Sequence, residues 1–90
     1  MQNFKESIIA IQNALNPKML SLPSDTGMGR VVTMELEGFI FTFWMGYPSN
    51  GYINILINGA EVTGMWTDEA LGPQAVKIVE SALRRHKEEA

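Results

Sequence analysis

Few side chains in this sequence are equipped for covalent or acid–base chemistry, and their spacing keeps those few apart. His86 is the only histidine, and it sits in the charged run Arg84-Arg85-His86-Lys87-Glu88-Glu89. A general base acts on a nucleophile held within hydrogen-bond reach. The chain has no cysteine, and no serine stands at a spacing that recommends it as that nucleophile. The basic run reads instead as the end of a helix, its cations complementing the negative pole of the helix dipole. Metal binding needs convergent His, Cys or carboxylate ligands. Only Glu35 and Glu61 fall on one surface of the expected sheet, on opposite edge strands and too far apart to share an ion. No catalytic residue, metal or cofactor is therefore assigned, and an enzyme is not expected.

Two further stretches bear on phosphate chemistry. The stretch Ser24-Asp25-Thr26-Gly27-Met28-Gly29-Arg30 has the glycines and the arginine of an anion-binding nest. It leads into a strand, however, and matches neither the P-loop nor the dinucleotide fingerprint, so it reads as a connector. The net charge is −3, with two glutamates directly behind the only dense basic run. The phosphate contacts that dominate nucleic-acid affinity thus have no home, and direct nucleic-acid binding is disfavoured.

What remains is aromatic and apolar surface. Placing it requires the strands. Arg30 to Glu37, Phe39 to Gly46, Tyr52 to Asn58 and Ala60 to Trp66 are strand candidates from their β-branched and aromatic content. Asn58-Gly59 is a strong hairpin signal, since both residues tolerate the positive φ of a type I′ turn. Glu37-Gly38 can turn the first pair in the same way, although Glu is not a favoured positive-φ residue. The middle connection decides the faces. An even-numbered loop would mix Phe41 and Phe43 with Asn54 and Asn58, leaving each face half polar; an odd one, drawn from Tyr47 to Gly51, brings the apolar sets together.

The expected inner face is then Val32, Met34, Leu36, Phe39, Phe41, Phe43, Met45, Ile53, Ile55, Ile57, Ala60, Val62 and Trp66. Phe4, Ile8, Ile11 and Leu15 recur at helical spacing near the start, and Pro17 stops that helix. Thr67 followed by Asp68 and Glu69 reads as one helix start and Pro73 after Gly72 as a second, with Val76, Val79 and Leu83 as the buried stripe. Between Pro17 and Gly29, prolines and glycines argue against regular structure, with Met19, Leu20 and Leu22 pinning the loop to the body. Each helix has one apolar stripe and neither is stable alone, so both belong on the inner face. The fold class is α+β: a four-stranded antiparallel meander with an N-terminal and a C-terminal helix packed on one face, in two layers, as a single domain over residues 1–90.

No helix remains for the outer face. Its centre carries Ile40, Trp44 and Leu56 within a surround of Thr, Asn and Glu, the arrangement of an apolar anchor inside a polar rim. Ile40, Trp44, Leu56, Met65, Tyr52 and Tyr47 are the expected partner-binding residues. The alternative, from a different class, is a small-ligand site in which Trp44 or Tyr52 stacks a nucleotide base or another flat ring while Asn54, Asn58 and Thr63 bond its edge. The layout of helix, antiparallel sheet and closing helix in a small acidic chain is similar to that of bacterial secretion chaperones and phage-borne inhibitor proteins. The likeness is one of layout, so no residue role is carried over from it. The expectation is a non-enzymatic adaptor or inhibitor that binds a protein partner and forms a homodimer. Without cysteine, and with no basic leader or apolar run of about 20 residues, a cytoplasmic location away from membranes is expected.

Overall fold

The computed structural model describes residues 2–21, 24–26, 29–46, 51–66 and 73–89. Its elements are α1 (Gln2–Leu15), β1 (Lys18–Met19), β2 (Ser24–Thr26), β3 (Gly29–Leu36), β4 (Phe39–Gly46), β5 (Tyr52–Ile57), β6 (Ala60–Trp66) and α2 (Pro73–Glu89). The sheet is antiparallel, in the order β1-β3-β4-β5-β6, with β2 also on β3. The expected α+β meander is therefore the one observed, enlarged by two short strands.

Those strands correct the reading of residues 17–29 as a loop and of 24–30 as a connector. Lys18 and Met19 pair with Glu35 and Met34, and Ser24, Asp25 and Thr26 pair with Val31, Arg30 and Gly29. Between them, the Leu20 and Ser21 amides both donate to the Thr33 carbonyl, at 3.0 and 3.2 Å, and the Thr33 amide donates to Ser21 Oγ at 3.0 Å. A broken line of chain thus satisfies the β3 edge, which would otherwise present unpaired amides and carbonyls. Leu22 and the expected helix start at Thr67 lie outside the described residues.

The N-terminal helix runs from Gln2 to Leu15 and is capped by Asn16, which holds a left-handed φ of 49° and whose amide donates a hydrogen bond to the Gln12 carbonyl at 3.0 Å. Pro17 follows, so the helix cannot continue. In α2 the buried residues are Ala75, Val79, Ala82 and Leu83. The stripe is thus rotated from the expected one, and Val76 sits at its margin. Both helices contribute to one buried cluster with the inner face of the sheet. Phe4, Ile8 and Ile11 from α1 meet Val32, Met34, Phe41, Phe43, Met45, Ile53, Ile55 and Ile57, all at most 2% exposed. Burying one such side chain contributes about 1.5 to 3 kcal/mol, which is why two helices with no independent stability are held. Among the described residues no buried side-chain nitrogen or oxygen lacks a hydrogen-bond partner.

Both turns take the expected form, with positive φ at Glu37 (51°) and Gly38 (88°) and at Asn58 (53°) and Gly59 (88°). The β4–β5 register pairs Phe41 with Ile57, Thr42 with Leu56, Phe43 with Ile55 and Trp44 with Asn54. This is the parity of an odd connection. Strand β6 departs from expectation part-way along. Leu56 pairs with Glu61 but Ile55 pairs with Thr63, so Val62 is an extra residue. A bulge of this kind reverses the in–out alternation of everything beyond it. Met65 therefore turns inward, 3% exposed, while Trp66 turns outward, 47% exposed. Ala60 and Val62, expected in the core, are exposed beside α2 and at the turn.

Candidate functional site

Cα partners in an antiparallel ladder project to the same side, so the register maps the outer face. One row is Val31, Trp44, Asn54 and Gly64, and the next is Thr33, Thr42, Leu56 and Glu61. A third runs Lys18, Glu35 and Ile40. Strands β3 to β6 span about 14 Å at ordinary strand spacing. Glu35 and Glu61 lie at least that far apart, being one row apart as well, and among the described residues no group of three or more His, Cys, Asp or Glu comes together to hold a metal.

Val31, Ile40, Trp44 and Trp66 keep between 38% and 47% of their surface in water. The sheet positions each of them rigidly: Trp44 and Ile40 on β4, Val31 across from Trp44, and Trp66 across from Tyr52. The Tyr52 and Trp66 rings meet edge to face with centroids 4.9 Å apart. Tyr52 lies over Gly64, where a Cβ would come within 2.3 Å of Tyr52 Cζ. A glycine inside a strand often marks a close approach of this sort, and here it leaves room for the Tyr52 ring over β6.

Of the six residues expected to bind a partner, Ile40, Trp44, Leu56 and Tyr52 share this face. Met65 does not: the bulge turns it into the core. Tyr47 lies outside the described residues. Trp66 is the member that sequence reasoning missed, and Gly64 was the signal, because an isolated glycine in a strand pattern points to a bulge or a close approach.

The residues expected for a small ligand are divided. Thr63 pairs with Ile55 and projects to the helix side. Asn58 is engaged in holding the hairpin: its Oδ1 accepts from the Ile40 amide at 2.9 Å, and its own amide donates to the Ile40 carbonyl at 2.8 Å. Asn54 Nδ2 leans toward the Trp44 carbonyl at 3.4 Å. The clefts formed by the described residues lie away from Trp44, Tyr52, Asn54 and Asn58. One of about 460 Å³ lies between Pro17, the β3–β4 turn and Arg84; an open groove of about 470 Å³ follows the α1–α2 seam at Ala14 and Val76; a third of about 220 Å³ sits by Val62 and His86.

At that end of the molecule the basic run closes the fold. The His86 and Phe39 rings meet edge to face at 5.0 Å, and Lys87 pairs with Glu37 of the β3–β4 turn. Compared with known protein families, with curated proteins and with solved structures, the chain finds no match in any of the three. No helix among the described residues is long and apolar enough to cross a membrane.

Proposed function

We propose that this chain is a non-enzymatic interaction protein that binds a protein partner stoichiometrically through the outer face of its sheet, as an inhibitor or an adaptor. The observation that carries the reading is the set of large apolar side chains left in water on one rigid surface: Val31, Ile40, Trp44 and Trp66. Large apolar side chains exposed on one face often mark an association site, and tryptophan is the residue most enriched where interfaces concentrate their binding energy. The lack of cysteine supports a reducing, cytoplasmic setting.

The test compares wild type with Trp44→Ala and Leu56→Glu. Loss of a buried aromatic anchor should weaken partner binding at least about thirtyfold. A carboxylate at Leu56 would be desolvated without a counter-charge on association and should weaken it further. Both variants should keep the wild-type far-ultraviolet spectrum and melt within a few degrees of it. Equal partner capture by all three proteins would refute the assignment. A melting-temperature rise with a nucleotide panel, abolished by Trp44→Ala, would replace it with the small-ligand reading.

A further inference from the structure

We infer that, in the absence of another protein, the outer sheet face is closed by a second copy of the same chain, packed face to face about a two-fold axis that runs along β4. The inference rests on the outer face being an association surface, and adds which surface meets it. Three observations favour a second copy. The first is position. In the order β1-β3-β4-β5-β6, β4 is the middle strand, so a two-fold axis along it returns each edge of the sheet onto the opposite edge of the partner. A two-fold interface uses the same patch on both copies and must be complementary to itself.

The second observation is charge. The described outer face carries Lys18 and Glu35 on one side and Glu61 on the other. Lys18 and Glu61 are both exposed, and among the described residues neither forms an ion pair within the chain. They stand on the two outermost strands, about 19 Å apart across the sheet and offset by about 7 Å along it. Exchange about an axis on β4 brings Lys18 of each copy toward Glu61 of the other, with an offset that two long side chains can span. Opposite charges therefore meet twice, while the centre stacks Trp44, Thr42 and Ile40 on their own counterparts, with no charge among them. Face-to-face sheets pack in this aligned manner, about 10 Å apart.

The third observation is area. Four strands of six to eight residues and two short ones present on the order of 500 to 600 Å² per copy, near the roughly 600 Å² per partner at which specific interfaces begin. The outer edge of β6, last in the order of the described strands, is an inferior alternative, because the bulge at Val62 breaks the regular ladder that a strand-to-strand dimer would need to continue.

The experiment is sedimentation equilibrium of the full chain at low ionic strength, over a range of concentrations. Wild type should be a dimer. Lys18→Glu and Glu61→Lys should each raise the dimer dissociation constant roughly tenfold, since one substitution turns two attractive contacts into two repulsive ones. The Lys18→Glu/Glu61→Lys double variant should return to within about threefold of wild type, because the pair is rebuilt with its signs exchanged. Trp44→Glu should be monomeric and folded by circular dichroism. A wild type that stays monomeric at the highest concentration overturns the inference, and the proposed function survives that result if partner capture still depends on Trp44. A dimer unaffected by Trp44→Glu lies on another surface and overturns it as well. A dimer broken by Trp44→Glu but not rescued by the charge exchange overturns this arrangement of the two copies.

Discussion

The two hairpins of the sheet begin alike and end differently. Each turns through a pair of positive-φ residues, Glu37-Gly38 and Asn58-Gly59, and each sets the flanking residues opposite one another, Leu36 with Phe39 and Ile57 with Ala60. From there β3–β4 runs unbroken to Gly29 opposite Gly46, whereas β5–β6 slips after its second pair. The difference shows how far a turn controls register. It fixes the first pairs by geometry; beyond them, a single inserted residue can reverse which side chains face the core. On β4, every second residue from Phe39 to Met45 is apolar and faces the helices, so turn and core agree. On β6, continuing the alternation would have put Trp66 inward and Met65 outward. The inserted residue at Val62 reverses that outcome, leaving the larger ring in water beside Tyr52 and the flexible thioether in the core.

The largest expected effect lies in the hairpin where turn and core agree. Phe43 is wholly buried and stacks near Phe41, with ring centroids 6.1 Å apart. Phe43→Ala should cost about 3 to 5 kcal/mol by urea denaturation, a large part of the stability available to a domain of this size. A loss under about 1 kcal/mol would show that β4 does not carry the core.

Next comes the pair that separates the two hairpins. Met65→Ala should cost about 2 to 4 kcal/mol, while Val62→Ala, at an exposed site, should stay within about half a kcal/mol. A regular β6 without the bulge predicts the reverse ranking, so the two measurements together decide whether the slip exists in solution.

This contrast also marks what was legible in the sequence. The positions of α1, β3, β4 and β5 follow from periodicity because each has one strongly apolar side, and the odd β4–β5 connection follows because only one parity unites Phe41 and Phe43 with Ile55 and Ile57. The phase of β6 was not legible. In Ala60-Glu61-Val62-Thr63-Gly64-Met65-Trp66 the apolar residues fall on both alternating sets, so pattern alone cannot rank a bulged strand against a regular one. Strands β1 and β2 were missed for another reason. Pro17 ends α1 as expected, but prolines and glycines along residues 17–29 do not exclude an edge strand of two or three residues when β3 offers it a partner. Trp44, Ile40 and Tyr52 were readable as outer residues from parity. Trp66 was readable only through Gly64, because its side depends on the bulge.

A smaller effect is expected at the second turn. The left-handed conformation of Asn58 and its hydrogen bond to Ile40 can be separated with two substitutions. Asn58→Gly keeps the freedom to adopt φ of 53° and loses only the side-chain bond, which should cost about 0.5 to 1 kcal/mol. Asn58→Ala loses both and should cost about 1 to 2 kcal/mol. Equal losses would mean that backbone strain contributes nothing at this turn.

The smallest effect tests the first turn, where two weak terms oppose each other. Glu37 holds φ of 51°, a conformation that asparagine adopts more readily than glutamate does. Its carboxylate also pairs with Lys87, but both side chains are largely in water, 59% and 44% exposed. An ion pair so exposed contributes about 0 to 1 kcal/mol and is weakened further by salt. Glu37→Asn exchanges that pair for a better turn residue. It should raise stability by about 0.3 to 0.8 kcal/mol, with the gain largest at high salt, where the lost pair contributes least. Lys87→Ala alone should change stability by less than about half a kcal/mol. If Glu37→Asn instead destabilises the chain by as much as Lys87→Ala does, the tie between α2 and the β3–β4 turn outweighs the backbone preference. The two hairpins would then differ in what holds their turns as well as in their register.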